Sequence, residues 1–133
     1  MKIVICDDCV EDLQYIEQLL GQYTEAAPGA DFVVEKYLDA AVLYDRIQEG
    51  EQAEIYILDM IMAKRTGIDL GSLIRKVGGD SVIIYITSSD EYAMEAYGVH
   101  AVRYLLKPVS SESFFEAMDS ARSSVRGRRK LMF

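Results

Sequence analysis

The chain has 133 residues, half of them hydrophobic, which suits one globular domain with a sizeable core and excludes a disordered chain. No apolar run approaches the roughly 20 residues of a membrane span. The apolar run after Lys2 is short and is followed directly by acidic residues, unlike that of a signal peptide. We therefore expect a cytoplasmic protein with no membrane partner. Residues 122–133 hold five basic residues and no acid, so residues 1–121 carry nine basic against 22 acidic residues, a balance that argues against this domain gripping a nucleic-acid backbone itself.

The first half of the chain alternates short apolar runs with amphipathic stretches. The runs are rich in β-branched residues and predict strands, whereas apolar residues at spacings of three and four predict helices. Pro28-Gly29 breaks the first helix, and Asp39 is a good N-cap for the second. In order, the predictions are a strand at 2–6, a helix over 13–23, a strand at 31–38 and a helix from Asp39 to Gly50.

The second half repeats the same alternation. Ser89 or Asp90 is the predicted cap of a short fourth helix, and Ser113 and Glu116 stand in capping-box relation in the fifth. In order, the predictions are a strand at 55–59, a helix over 70–77 that stops at Gly78-Gly79, a strand at 81–87, a helix ending at Gly98, a strand at 101–108 and a helix over 114–125. Strand–helix units with short connections predict a parallel sheet with helices on both faces.

Polar side chains stand at the carboxyl ends of four of these strands. They are Asp7, Asp8, Asp59, Thr87 and Lys107. In open α/β sheets ligands bind beyond those ends. Three carboxylates held close repel one another, and a hard cation with oxygen ligands, such as Mg²⁺, relieves the repulsion. With a lysine and a hydroxyl, the set also suits phosphoryl chemistry, in which a carboxylate can be the nucleophile.

Residues 2–122 resemble the receiver domain of bacterial two-component response regulators. The motifs that carry the resemblance are the pair Asp7-Asp8, LDMIM around Asp59 with Gly67 eight residues later, ITSS with Thr87, and YLLKP with Tyr104 three residues before Lys107. The resemblance implies a flavodoxin-like (βα)5 doubly wound fold of five parallel strands in the order 2-1-3-4-5. It also implies a signalling domain that takes part in its own phosphoryl transfer and autodephosphorylation, and not an enzyme.

The resemblance further implies a role for each residue of the site. Asp59 would accept a phosphoryl group from a sensor histidine kinase. Asp7, Asp8 and Asp59, with the backbone carbonyl of Ile61, would hold Mg²⁺. Thr87 and Lys107 would bind the phosphoryl oxygens.

A conformational switch is the next implication of the family. Thr87 would move toward the phosphoryl group and Tyr104 would rotate inward behind it. The face made by helix four, strand five and helix five would change, and a homodimer through that face is expected. The Lys107-Pro108 bond would be cis. Ala63 stands where the family usually has proline, which removes a φ restraint from the loop after Asp59.

Residues 88–118 resemble a narrower group, response regulators with a LytTR-type (LytR/AgrA-like) DNA-binding output domain. The chain is too short to include such a domain. We therefore expect a receiver at residues 1–121 and a basic tail at 122–133 that begins a linker to an absent output domain, through which alone DNA would be contacted. A stand-alone receiver is the alternative.

Other interpretations of the same residues remain open. A degenerate receiver would act through protein binding without phosphorylation. An aspartate-nucleophile phosphohydrolase is disfavoured because that class resembles a DxD pair after its first strand, whereas Asp7 and Asp8 are adjacent. A thiol site in CDDC is disfavoured because Cys6 falls on a buried strand. Gly67 is most simply a turn residue before the third helix.

Overall fold

Strands and helices alternate strictly in the computed structural model, which describes residues 1–77 and 79–130, with side chains up to residue 127. The strands are β1 (Lys2–Cys6), β2 (Val33–Tyr37), β3 (Ile55–Leu58), β4 (Val82–Thr87) and β5 (Arg103–Leu106). The helices are α1 (Val10–Ala26), α2 (Ala40–Gln48), α3 (Gly67–Lys76), α4 (Ala93–Gly98) and α5 (Ser111–Lys130). Gly78, part of the predicted stop of the third helix, lies outside the described residues.

All strand pairs are parallel, and the sheet has the order β2-β1-β3-β4-β5. The predicted fold and strand order are confirmed. β2 lies at one edge, which explains its exposed side chains. Among the described residues, none of the helices is long and apolar enough to cross a membrane.

The central strands are apolar on both faces because each face carries its own core. Along β1, Ile3 and Ile5 pack with α1 and α5, whereas Val4 and Cys6 pack with α2, α3 and α4. Successive side chains of a strand point to opposite faces, so one apolar run supplies both cores. Burial on both faces fixes the position of the central strands in the sheet. The candidate functional side chains stand at the carboxyl ends of the strands.

The predicted cap of α4 is wrong. The helix begins at Ala93, and its N-cap residue Tyr92 makes no capping hydrogen bond through its side chain. Ser89 instead accepts a hydrogen bond from the N–H of Glu91 through its Oγ, before the helix starts. The hydroxyl therefore closes a local turn, a use of serine that competes with capping.

The predicted capping box of Ser113 with Glu116 is also wrong, because α5 starts earlier. Ser110 Oγ accepts from the N–H of Ser113 at 3.1 Å, and the Ser110 carbonyl accepts from Phe114 N–H at 3.0 Å. Ser110 is thus the residue that caps the helix. Several serines in a row made the choice ambiguous from sequence.

Core packing continues beyond residue 121. Val125 is buried with the residues of α1, and the Arg122 guanidinium donates to Tyr23 Oη at 3.1 Å. The helix itself runs on to Lys130. The role of the basic tail as a linker stays a prediction. The side chains of residues 128–130 and the whole of residues 131–133 lie outside the described part of the chain.

Candidate functional site

The backbone hydrogen bonding of the sheet continues one residue beyond the ends of β1 and β3. These bonds fix the positions of Asp7 and Asp59. Asp7 N–H donates to the Tyr37 carbonyl at 3.1 Å, and Asp59 N–H donates to the Cys6 carbonyl at 3.0 Å. At the next strands, Lys107 N–H donates to the Thr87 carbonyl at 2.8 Å. The side chains of Asp7, Asp59 and Lys107 therefore converge at one edge, as the strand-end argument predicted.

The ammonium group of Lys107 is the centre of this cluster. It donates to Asp7 Oδ2 at 2.8 Å, to Asp59 Oδ2 at 3.1 Å and to Asp12 Oδ2 at 2.7 Å. Burial opposes its charge, but the hydrogen bonds to Asp12 and Asp7 outweigh burial and raise the pKa of Lys107 well above its ordinary value. Lys107 is therefore a permanent cation at physiological pH.

Asp7, Asp8 and Asp59 form a group that could hold a metal ion. Each offers one carboxylate oxygen, and these atoms lie within 4.8 Å of one another. Asp7 is fully buried and Asp59 nearly so, whereas Asp8 is exposed. Burial raises the pKa of Asp7, although hydrogen bonds from Lys107 and from the Cys9 N–H act in the other direction. An all-oxygen donor set open to solvent on one side fits Mg²⁺, which keeps several waters.

The loop from β3 to α3 is tied to these acids through its backbone. Met60 N–H donates to Asp59 Oδ1 at 2.7 Å, and Ala63 N–H donates to Asp8 Oδ2 at 3.0 Å. Proline has no N–H, so the alanine at position 63 supplies a contact that the usual residue of the resembled family could not. Lys64 follows in the left-handed region, with φ of 70°. The loop ends at Thr66, whose side chain caps α3 by accepting from the Asp69 N–H.

Gly67 is the first residue of α3 and not a turn residue before it. A Cβ at this position would overlap the Asp59 carbonyl oxygen and would lie 2.9 Å from Met60 Cα. The Gly67 carbonyl accepts from Tyr85 Oη at 2.7 Å, and its N–H donates to the Met60 carbonyl at 2.8 Å. The absent side chain lets α3 start directly against the residue that carries the central carboxylate.

Thr87 and Tyr104 share a common neighbour in Ser89. Thr87 is fully buried, and its Oγ1 accepts from the Ser89 N–H at 3.4 Å. Tyr104 is half-buried, and its hydroxyl donates to the Ser89 carbonyl. Its ring centroid lies 6.3 Å from that of Tyr85. The loop between β4 and α4 therefore connects the two residues predicted to switch.

Pro108, Ile61 and Asp12 also lie at or next to the site. The Lys107-Pro108 peptide bond is cis. Ile61 lies on the loop, and its N–H donates to Asp59 Oδ1 at 3.4 Å; the role of its carbonyl as a metal ligand stays a prediction.

The sequence did not predict a role for Asp12. The signal was available, because α1 starts directly behind the carboxyl end of β1 and its first-turn acids must lie near that edge.

The cysteines of CDDC stand outside this chemistry. Cys6 is buried with its Sγ 3.6 Å from Met62 Sδ, and burial raises the pKa of its thiol to about 12. Cys9 is half-buried, and both residues are free thiols. The sulfur of Cys6 serves as a small apolar group in the core.

Comparison with known proteins gives a family match over most of the chain. The family model for the response regulator receiver domain matches residues 3–119. The transcriptional regulatory protein LytR of Staphylococcus aureus (strain N315) is 28% identical over 127 residues, covering 93% of this chain and 48% of that protein. The positive alginate biosynthesis regulatory protein of Pseudomonas aeruginosa is 32% identical over 124 residues, covering 91% of this chain and 47% of that protein. The chain thus spans about half the length of these curated relatives.

Solved structures agree in fold. The response regulatory domain of mrkE from Klebsiella pneumoniae superposes with a TM-score of 0.83 at 19% identity, covering 96% of this chain and 99% of that one. A response regulator receiver domain protein from Clostridium thermocellum gives a TM-score of 0.77 at 25% identity, covering 99% and 98%. Their likeness lies in the arrangement of strands and helices and extends over nearly the whole chain.

The charge balance of the site makes a prediction about stability. Asp7→Asn should raise the free energy of unfolding in a chelating buffer by about 1 kcal/mol, because repulsion by neighbouring carboxylates is lost while the amide oxygen still accepts from Lys107. The gain is limited because the N–H of Cys9 loses the Asp7 oxygen that accepts from it. Urea unfolding at neutral pH measures the change. Asp80→Asn, at an exposed position before β4, removes the same charge and should leave stability within about 0.5 kcal/mol. A destabilised Asp7→Asn protein would contradict the electrostatic account.

Proposed function

The chain belongs to the response regulator receiver domain family, and on that premise we propose that Asp59 accepts a phosphoryl group from a sensor histidine kinase in a Mg²⁺-dependent reaction. Domains of this family are signalling domains. The observation that carries the proposal is the ammonium of Lys107, held between the carboxylates of Asp59 and Asp7. A fixed cation beside a nearly buried carboxylate is the arrangement that phosphoryl transfer requires.

The proposed transfer uses few groups. A carboxylate oxygen of Asp59 attacks phosphorus, and the new O–P bond forms as the P–N bond to the donor histidine breaks. The histidine nitrogen leaves with the electron pair. Lys107 and the hydroxyl of Thr87 stabilise the negative charge on the phosphoryl oxygens.

Asp7, Asp8 and Asp59 would hold Mg²⁺, with the Ile61 carbonyl as a further ligand. Their oxygens are close enough to share one ion. The bound cation supplies positive charge against the phosphoryl oxygens and offsets the repulsion among the acids. In this proposal Asp8, the exposed member of the group, faces the solvent from which the ion enters.

The signal would leave the site through the loop after β4. A shift of Thr87 toward the phosphoryl group would move Ser89, to which Tyr104 is also bonded. Tyr104 stands on β5 beside α4, so its rotation inward would change the face made by α4, β5 and α5. A local change of charge would thereby bias an element with two states.

The output of the proposed switch is control of transcription. Support comes from the curated relatives, two of which are named as regulatory proteins and are about twice as long as this chain. A LytTR-type DNA-binding domain, joined through the basic tail, would make the contact with DNA. A receiver that stands alone and acts by binding proteins is the second candidate, and the proposal places either form in the cytoplasm with its kinase.

Labelling with acetyl phosphate tests the proposal. Intact-mass spectrometry after incubation with acetyl phosphate and Mg²⁺ should show one added phosphoryl group on the wild type. Asp59→Asn should show none, because the nucleophile is gone. Absence of an adduct on the wild type, with Mg²⁺ shown to bind, would favour a phosphorylation-independent receiver.

Mg²⁺ binding tests the contact between Ala63 and Asp8. Ala63→Pro removes the N–H that occupies Asp8 Oδ2, so Asp8 would bind the ion without giving up a hydrogen bond. We expect about three- to tenfold tighter Mg²⁺ binding by calorimetry, the size of one net hydrogen bond. Ala63→Gly keeps the N–H and should bind as the wild type does. Equal affinity in the two variants would show that this contact does not compete with the ion.

A homodimer is proposed through the face of α4, β5 and α5. Met94, Tyr97 and Leu106 expose 81%, 82% and 49% of their surface there. Large exposed apolar side chains that lie together are typical of protein–protein interfaces. Light scattering after size-exclusion chromatography should show a larger mass for the phosphorylated protein, and Tyr97→Ser should reduce that mass to the monomer. Identical masses with and without the phosphoryl group would rule out a phosphorylation-driven dimer.

A further inference from the structure

The ammonium of Lys107 has three N–H donors, and each is directed at a different carboxylate. The shortest of the three distances, 2.7 Å, joins it to Asp12. Asp7 and Asp59 are buried, whereas the Asp12 side chain is 42% exposed. Lys107 is therefore shared between the buried acids and one acid at the surface.

The backbone that carries Asp12 is held firmly. Asp12 lies in the first turn of α1, next to Leu13, and Leu13 and Ile16 are buried in the core. One turn further, Tyr15 Oη donates to the Val109 carbonyl at 2.8 Å, on the loop that follows Lys107. Helix and loop are thus joined again one turn after the contact between Asp12 and Lys107. This packing sets the position of the Asp12 backbone.

Phosphorylation would change the demand on Lys107. A phosphoryl group on Asp59 brings oxygen atoms that need the donors of the same ammonium. No donor is in reserve, since all three are directed at carboxylates, so one carboxylate must share or release its hydrogen. Asp7 has no solvent to replace a lost partner and Asp59 has almost none, whereas Asp12 is well exposed. Asp12 is the partner whose release costs least.

We propose that Asp12 is a positioning residue that competes with the phosphoryl group for Lys107 and so slows phosphorylation of Asp59. This inference rests on the proposed function. The competition has two parts: Asp12 holds a donor that the incoming group needs, and its negative charge lies close to an anionic phosphodonor. Removing Asp12 frees the donor and weakens the repulsion.

The test is the rate of labelling by acetyl phosphate at a concentration below saturation, followed by intact-mass spectrometry. Asp12→Ala, which has no side-chain acceptor for Lys107, should be labelled about three- to tenfold faster than the wild type, and the advantage should shrink at high salt. Asp12→Glu keeps the charge and a carboxylate for Lys107, so it should be labelled at the wild-type rate. The affinity for the trifluoroberyllate anion with Mg²⁺, a mimic of the phosphoryl group that is not transferred, should rise in parallel in Asp12→Ala and stay near wild type in Asp12→Glu.

Glu11→Ala is the matched control. Glu11 stands in the same first turn of α1, is exposed and contacts Cys9 Sγ, not Lys107. If its rate rises as much as that of Asp12→Ala, general charge repulsion and not the contact with Lys107 is responsible, and the inference is overturned. An Asp12→Ala protein with an unchanged circular dichroism spectrum that is labelled no faster than the wild type overturns it as well. A wild type that takes no label overturns the proposed function itself, which separates the two failures.

Discussion

One ammonium group among four carboxylates is the interaction on which the candidate site depends. Lys107 contacts Asp7, Asp12 and Asp59, and Asp8 completes the cluster around them. A single cation cannot balance four acids, so the site holds an excess of negative charge. A divalent cation would relieve that excess by neutralising carboxylate oxygens, and the ion and the lysine together would then bind the oxygens of a phosphoryl group. The unfavourable charge is therefore the source of the binding chemistry.

The sheet makes this concentration of charge possible because its own stability comes from elsewhere. Each central strand buries apolar side chains in two cores, above and below the sheet. Burial on that scale outweighs the repulsion at one edge, where only the residues just past the strands are polar. Gly67 adds precision, because its missing side chain lets α3 begin against Asp59. Rigid elements hold the carboxylates within a few ångströms of one another, closer than their charges alone would allow.

The sequence predicted those parts of the site that follow from a local pattern and a topological rule. Asp7, Asp59 and Lys107 each end an apolar run, and parallel strands bring such ends together. The parts that escaped prediction depend on geometry that has no fixed sequence spacing. Predicting the contact of Asp12 required the direction in which the first turn of α1 points. Ala63 acts through its backbone N–H, which any residue except proline provides. The starts of α4 and α5 were misplaced because runs of serine and aspartate offer several caps of similar strength, and tertiary packing selects among them.

The link between the site and the exposed face follows from what Ser89 contacts. Its N–H is bonded to the side chain of a buried threonine, its carbonyl to the hydroxyl of a half-buried tyrosine, and its own hydroxyl to the next turn. Because Ser89 is bonded to both residues, a movement of Thr87 would displace Ser89 and, through it, Tyr104. The sheet itself would not have to change. α4 follows this turn, is six residues long and has no side-chain cap at its N-terminus, so little holds its first turn in place. The element best placed to respond is also the shortest of the described helices, with Ala96 as its one buried residue, which suits a switch of small energy.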